Sequence, residues 1–215
     1  GGNVIVADRK LPQEGGPADR WLHLEFDLNN LAQCENVFKQ IDIKFGRLDG
    51  LFCYAGITSP GALLACDEAH FDEIMNTNFK GIFFCCQHAV RLMMRSPQGG
   101  SILFTGSPHS DGGDQDRVAY ACSKGALFPL MKHLSRHYAE HAIRANLVTM
   151  GWMATPGEVA LREKSGMSVK ELQSWASTVI PAGRMIEVDD IVEGVVYLLS
   201  NNSRMVSGSE LRVTG

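Results

Sequence analysis

The sequence has no apolar run long enough to cross a membrane and no excess of positive charge. Its apolar stretches fall well short of the ~20 residues that a membrane-spanning helix needs. The 20 lysines and arginines are outnumbered by 24 acidic residues, giving a formal net charge of −4, and the two signs are interspersed. We therefore expect a cytoplasmic protein whose partners include neither nucleic acid nor a membrane.

The sequence also lacks any C-x-x-C pair. Its six cysteines are spaced in a way that is typical of neither a zinc site nor a disulfide framework. We therefore expect no metal and interpret the cysteines as reduced, small hydrophobic side chains of an interior. They are Cys34, Cys53, Cys66, Cys85, Cys86 and Cys122.

Apolar runs alternate with segments of helical periodicity along almost the whole sequence. At 215 residues and 45% hydrophobic content, the chain suffices for one substantial core and is short for two domains. Strands separated by helices require right-handed crossovers and a parallel sheet covered on both faces. We therefore predict a single domain over residues 1–215, an α/β fold with a doubly wound parallel sheet. Strands are predicted at VIVA, WLHLEF, LDGLFCYAG, SILFTG, IRANLVTM and ELRV, helices around 31–45, 68–95, 118–141 and 189–200, and a polar irregular region at 155–185.

One polar segment carries residue types suited to proton transfer. Tyr120 and Lys124 lie one turn apart on a predicted helix, so their side chains can meet. A nearby ammonium lowers the pKa of a tyrosine from its usual value of about 10, which permits proton exchange with an alcohol near neutral pH. The pair alone is weak evidence. Ser107, at the end of the preceding strand, is suited to hold the oxygen that Tyr120 protonates, and the alternative is a loop-capping serine.

Asn78 interrupts the apolar pattern of the predicted helix at 68–95. Asparagine is unfavourable there because its side chain competes for backbone hydrogen bonds. Taken alone, it would be expected to face solvent. The apolar side chains of the same segment are expected to face the sheet as one stripe. They are Phe71, Ile74, Met75, Ile82, Phe83, Cys86 and Met93.

Together these residues make the sequence resemble the short-chain dehydrogenase/reductase family over nearly its whole length. The matching pieces are NFKG around Asn78, TGSP around Ser107, YACSK at 120–124 and GWMATP at 151–156. The resemblance implies a Rossmann-like fold of three αβα layers and four catalytic residues. Their implied roles are general acid/base for Tyr120, substrate-oxygen ligand for Ser107, pKa tuner and ribose binder for Lys124, and anchor of a proton-relay water for Asn78.

The resemblance also implies a nicotinamide dinucleotide cofactor. Asp8 ends a strand where a carboxylate accepts hydrogen bonds from the adenosine ribose 2′-OH and repels a 2′-phosphate, which favours NAD over NADP. The neighbouring Arg9 could instead meet a phosphate, and the pair could simply end a strand. The remaining positions implied at the cofactor are Asp27, Ala55, Gly56, Gly151 and Thr155, besides Tyr120 and Lys124.

The expected function is therefore that of an NAD(H)-dependent oxidoreductase that interconverts a secondary alcohol and a ketone. The loop 107–117 and the region 155–185 should border a small-molecule substrate, with His109 and Trp152 as its contacts. The polar side chains of the loop suit a polyhydroxylated substrate. Family members usually pair through the two long helices, which implies a homodimer or homotetramer.

Three features depart from the family pattern. Tyr54 replaces the asparagine of N-A-G, and Met150 replaces the proline of P-G. The family's first strand and its T-G-x-x-x-G-x-G turn, which holds the pyrophosphate, have no counterpart here. Omitting that first βα unit leaves a gap of about 10 Å in the sheet. We therefore expect either that the two flanking strands close on each other or that the native protein is longer. The alternative function is that of a shortened relative acting as a binding protein, scaffold or non-redox catalyst.

Overall fold

Strands and helices alternate along the residues that the computed structural model describes, which are 2–10, 20–155, 158–159 and 166–215. The strands are β1 (Val4–Asp8), β2 (Trp21–Glu25), β3 (Gly50–Cys53), β4 (Gly100–Gly106), β5 (Ile143–Met150) and β6 (Glu210–Val213). The helices are α1 (Leu31–Phe45), α2 (Glu68–Met75), α3 (Ile82–Met93), α4 (Val118–Gly125), α5 (Leu127–His137), α6 (Val169–Val179) and α7 (Val188–Leu199).

All strand pairings among the described residues are parallel, but they form two separate sheets. β1 pairs with β2, and the other sheet has the order β3-β4-β5-β6. β1 and β3 flank the expected gap and do not pair with each other, so the predicted closure of these strands is not what the structure shows. Among the described strands, β1 and β3 are therefore edge strands, and an edge strand leaves alternate backbone amides without a ladder partner in its sheet.

Side chains of the central strands alternate between two helical layers. Ile102 and Phe104 of β4 belong to a core cluster that also contains buried residues of α1, α3 and α5. Leu103 lies on the opposite face, where it packs with Ile191 and Leu198 of α7. Because helices cover both faces of the sheet, the predicted three-layer αβα fold is confirmed.

Local signals explain why α1 matches its predicted bounds. The side chain of Asn30 accepts a hydrogen bond from the Gln33 N–H at 3.1 Å and caps the first turn. Gly46 ends the helix in the left-handed conformation, with φ of 66°. Its apolar face places Cys34, Phe38 and Ile41 in the core.

The predicted helix at 68–95 is continuous but contains an irregular turn. A π-helix, Asn76–Gly81, joins α2 to α3 and carries Asn78. The inserted residue shifts the phase of the apolar face between the two helices. Phe71 and Phe83 are therefore exposed, at 45% and 42%, and their predicted place in the sheet-facing stripe is wrong.

Two other helix predictions need correction. The segment 118–141 forms two helices, because Pro129 has no N–H to bond with the carbonyl of Gly125. The predicted irregular region 155–185 contains α6, and Ser168 and Glu171 form a capping box at its start. The S-x-x-E pattern that specifies this box is visible in the sequence.

Candidate active site

The four residues predicted to be catalytic come together at the carboxyl ends of β3 and β4. Gly56 lies between two of them, because a Cβ added there would be 3.2 Å from Lys124 Nζ and 3.3 Å from Asn78 Oδ1. Ser107 follows β4 and lies near enough to Tyr120 on α4 for its hydroxyl to lower the pKa of the phenol. The structure thus assembles the predicted set, while the chemical role of each member stays a prediction.

Asn78 is fully buried rather than exposed to solvent. Its amide nitrogen donates to the carbonyl of Ile57 at 2.8 Å and to Ser123 Oγ at 3.1 Å, and its Oδ1 accepts from the Ile57 N–H at 2.8 Å. These bonds satisfy a polar side chain that would otherwise be costly to bury. The side chain therefore fastens the π-helix to the segment after β3 and holds Gly56 against Lys124.

Lys124 presents a buried amine to the site. Its Nζ donates to the carbonyl of Thr105 at 3.0 Å and lies 5.9 Å from the centre of the Tyr120 ring. Burial lowers the pKa of Lys124 from 10.5 to about 8. The group is thus mostly a cation at neutral pH and loses its proton in mildly alkaline solution.

The pKa of the Tyr120 phenol lies above its ordinary value, the opposite direction to the one expected from the sequence. Burial is the largest cause, and the hydrogen bond from Ser107 and the positive charge of Arg117 oppose it. The cation that lowers the phenol's pKa is therefore Arg117, one turn before Tyr120, while Lys124 is directed at the carbonyl of Thr105. Sequence analysis placed Arg117 in the substrate loop and missed this effect, although the i, i+3 spacing was available.

Ser107 is buried and begins a short 3₁₀ helix, Pro108–Asp111. Its hydroxyl accepts a hydrogen bond from the His109 N–H at 3.3 Å, so the loop-capping alternative is realised together with the contact to Tyr120. The turn places the His109 ring edge-on to Tyr120, with ring centres 5.7 Å apart. His109 therefore lies where a substrate held by Tyr120 would meet it.

The residues implied at the cofactor share the carboxyl edge of the strands. Asp8 ends β1, Asp27 follows β2, Ala55 and Gly56 follow β3, and Gly151 follows β5. Open parallel sheets bind ligands at this edge. The close packing of Gly56 against two polar atoms and the exposed carboxylate of Asp8 fit a dinucleotide lying across it.

Some of these groups already have partners in the free protein. Asp8 Oδ1 accepts a hydrogen bond from the Lys10 N–H at 3.0 Å, and Asp27 Oδ1 accepts one from the Asn29 N–H at 2.9 Å. Thr155 Oγ1 accepts one from the Glu158 N–H at 3.2 Å. Each side chain keeps further lone pairs with which to accept from a ligand, which for Asp27 are those of Oδ2.

Trp152 connects the active-site edge to α6. Its indole N–H donates to Glu158 Oε1 at 2.7 Å, and its ring meets that of Trp175 at 4.6 Å between ring centres. The side chain belongs to a small apolar cluster with Leu172 and Ala176. Trp152 thus positions the predicted substrate region, of which Pro156, residue 157 and residues 160–165 lie outside the described residues.

The two side chains that depart from the family pattern are accommodated locally. Tyr54 is half exposed at the end of β3, and its ring lies 5.5 Å from that of Phe52. Met150 is buried in the core cluster beneath α7. Both changes are thus accommodated apart from the hydrogen bonds of Asn78 with Ile57 and Ser123 and of Lys124 with Thr105.

The described part of the chain contains neither a candidate metal centre nor a candidate membrane-spanning helix. Within it, no group of three or more His, Cys, Asp or Glu side chains is arranged to hold a metal ion. None of the helices in that part is long and apolar enough to span a bilayer.

Comparison with known proteins gives consistent matches. A family model described as enoyl-(acyl carrier protein) reductase matches residues 7–215. The chain is 28% identical over 215 residues to 2-dehydro-3-deoxy-D-gluconate 5-dehydrogenase of Dickeya dadantii (strain 3937), covering 100% of this chain and 83% of that protein. It is 32% identical over 191 residues to short-chain dehydrogenase reductase 3a of Arabidopsis thaliana, covering 88% of this chain and 73% of that protein.

A solved structure is similar in fold as well as in sequence. It is the gluconate 5-dehydrogenase of Burkholderia cenocepacia J2315, solved in complex with NADP and tartrate. The two align with a TM-score of 0.82 and 28% identity, covering 91% of this chain and 74% of that one.

Proposed function

Because this chain belongs to the short-chain dehydrogenase/reductase family and is an oxidoreductase, we propose that it interconverts a secondary alcohol and a ketone with NAD(H). The observation that carries the proposal is the proximity of Tyr120 to both Ser107 and Lys124 at the carboxyl ends of the parallel strands. A hydroxyl, a phenol and an amine so arranged provide a proton donor or acceptor and a ligand for one oxygen atom.

A nicotinamide ring bound at this edge supplies or takes the hydride. In the reductive direction, Ser107 donates a hydrogen bond to the ketone oxygen and Tyr120 donates its proton to the same atom. The raised pKa of Tyr120 keeps the phenol protonated at neutral pH, which suits this direction. In the oxidative direction Tyr120 must first lose its proton, and the positive charge of Arg117 favours the phenolate.

We propose NAD rather than NADP as the preferred cofactor. The exposed carboxylate of Asp8 supports this choice, because it accepts hydrogen bonds from a ribose hydroxyl and repels a phosphate. The Burkholderia cenocepacia enzyme was solved with NADP, so both cofactors belong in the test. In a direct comparison of the two reduced cofactors, Asp8→Asn should narrow the preference for NADH over NADPH.

The substrate we propose is a small, polar, polyhydroxylated alcohol or ketone. The loop over Tyr120 carries His109, Asp111 and Asp114, which are polar and at least partly exposed. Two of the similar proteins are dehydrogenases named for gluconate or a dehydro-deoxy-gluconate. We base the proposal on this loop and take the relatives as guidance for a substrate screen.

A homodimer or homotetramer is the assembly we propose. Apolar rings lie exposed along the two helical segments, with Phe71 on α2, Phe83 on α3 and Phe128 on α5. A stripe of such rings is unfavourable in contact with water and favourable in a helix-to-helix interface. Light scattering on the eluting peak of a size-exclusion column gives the molar mass and decides between monomer, dimer and tetramer.

The central experiment is an NADH titration followed by nicotinamide fluorescence, with NADPH in parallel, and then a screen of polyhydroxylated substrates. We expect saturable binding of NADH and a turnover that Tyr120→Phe lowers roughly 10²- to 10⁴-fold. The variant should bind NADH as the wild type does. A folded chain that binds neither cofactor would instead support the non-redox alternative, and full activity of Tyr120→Phe would refute the proposed chemistry.

A further inference from the structure

Two buried cysteines from different helices meet beside β3. Cys34 of α1 and Cys85 of α3 are 1% and 5% exposed, and their sulfur atoms are 3.6 Å apart. A disulfide bond is about 2.05 Å long, so the sulfurs need to approach by roughly 1.5 Å to form one. The 51-residue separation of the two positions gives no hint of this contact in the sequence.

The two thiols are not equivalent. One of the two thiols donates a hydrogen bond to the other sulfur, and this contact lowers the pKa of Cys34 and raises that of Cys85. Cys86 is also buried, and burial, together with the neighbouring Cys53 thiol, raises its pKa. Cys34 is therefore the group of this cluster best suited to react as a thiolate.

We propose that Cys34 and Cys85 form a reversible disulfide when the protein meets hydrogen peroxide. The Cys34 thiolate attacks one peroxide oxygen, the O–O bond breaks, and the departing hydroxide takes up a proton to become water. Cys34 is then a sulfenic acid. The Cys85 sulfur, releasing its proton, attacks the Cys34 sulfur, and the S–O bond breaks with loss of a second water. Two thiols and one peroxide thus give one disulfide and two waters.

The bond would join α1 to α3 on the face of the sheet opposite α7. Both helices contribute to the main core, and α3 continues the π-helix that holds Asn78. A cross-link between them removes loop-closure entropy from the unfolded chain, so the oxidised form should be the more stable one. We expect its Tm to rise by roughly 5–10 °C.

The test uses the full chain with Cys66→Ser and Cys122→Ser, which remove the two thiols that are not fully buried. Reduced protein is treated with hydrogen peroxide, and intact mass and non-reducing peptide mapping are recorded. We expect the loss of two hydrogen atoms, a peptide linking Cys34 to Cys85, the rise in Tm, and return to the reduced state with dithiothreitol.

Matched variants on α3 identify the partner. In the same background, Cys85→Ala should abolish the link and leave Cys34 as a sulfenic acid or its products, while Cys86→Ala should retain the link. A folded protein in which peroxide leaves all four thiols reduced, or links Cys53 to Cys86 instead, would overturn the proposal. Peptide mapping of the protein that keeps all four buried cysteines identifies the linked pair even where an alanine variant folds poorly.

Discussion

At the residue scale, burial of the Lys124 amine lowers the stability of the folded chain, a cost for which the proposed catalytic role would account. Its pKa falls from 10.5 to about 8 in the folded chain, so the unfolded state holds its proton more tightly. The free energy of unfolding should therefore rise with pH between about 8 and 10.5, and below pH 8 the full penalty is present. A buried group that weakens the fold at neutral pH indicates a function other than stability.

Replacing Lys124 with methionine tests whether this side chain lowers stability while it supports activity. We expect activity to fall roughly 10²- to 10⁴-fold. The free energy of unfolding at pH 7 should rise by about 1–3 kcal/mol. This is less than removal of the pKa shift of Lys124 alone would give, because the carbonyl of Thr105 loses its hydrogen-bond donor. Enzyme assays measure the change in activity, and urea titrations at pH 7 and pH 9.5 measure the free energy of unfolding. The rise in stability between these pH values should shrink in the variant, and an unchanged rise would assign it to other groups.

Arg117 gives a second prediction for single residues. Its charge opposes the effect of burial on Tyr120, and its Nη1 is held by Thr58 Oγ1 at 2.7 Å. Arg117→Gln should therefore raise the pKa of Tyr120 further and move the pH profile of alcohol oxidation to higher pH. Arg117→Lys is the control that keeps the charge and should shift the profile less. A profile that moves to lower pH in Arg117→Gln would contradict the assignment.

Local spacing decides which site residues can be found from sequence. Tyr120 and Lys124 share a helix face, so their meeting follows from one turn of helix. The bonds between Asn78 and Ile57 join positions 21 residues apart, and no pattern in the sequence reveals them. The direction of the Tyr120 pKa shift was predicted wrongly for the same reason. Burial is its largest cause, and burial depends on the whole fold.

At the element scale, the π-helix is the feature that positions the site. Thr77 and Asn29 exchange hydrogen bonds at 3.1 and 3.2 Å, which ties the π-helix to the segment after β2. Gly81 allows this approach, because a Cβ there would lie 2.5 Å from the backbone oxygen of Leu28. A backbone atom cannot move aside as a flexible side chain can.

Gly81→Ala should consequently destabilise the protein by about 1–3 kcal/mol through overpacking. Gly125→Ala is the matched control, since a Cβ at this helical glycine meets nothing within 4 Å. It should be neutral or stabilise by up to about 1 kcal/mol. Chemical denaturation of both variants gives the comparison, and equal effects would mean that the contact with Leu28 relaxes freely.

Helix ends were predictable where the chain carries its own signals. Asn30 and Gly46 delimit α1, and the structure matches the predicted bounds. The capping box of Ser168 and Glu171 is an equally local signal for the start of α6. It lies in a segment that was predicted to be irregular from its polar composition, so α6 was missed. The π-helix has no such signal beyond the unfavourable Asn78, because tertiary contacts stabilise it.

At the scale of the whole molecule, the break between β1 and β3 divides the sheet into unequal parts. The strands β4 and β5 are buried almost throughout, whereas most residues of β1 and β2 are only partly buried. A two-stranded sheet is marginal on its own in water. The β1–β2 unit is therefore held mainly by its apolar side chains packed against the main core, such as Ile5, Leu22 and Leu24.

This difference predicts unequal protection in hydrogen exchange. Amides of β1 and β2 should exchange at least ~10²-fold faster than those of β5, because the small sheet can open without unfolding the large one. Helix α1 is the internal control. It follows β2 directly but contributes Cys34, Val37 and Phe38 to the main core, so its central amides should exchange with those of β4 and β5. Equal protection of β1 and β5 would mean that the two sheets unfold as a single cooperative unit despite the break, and that side-chain packing through α1 alone is enough to couple them.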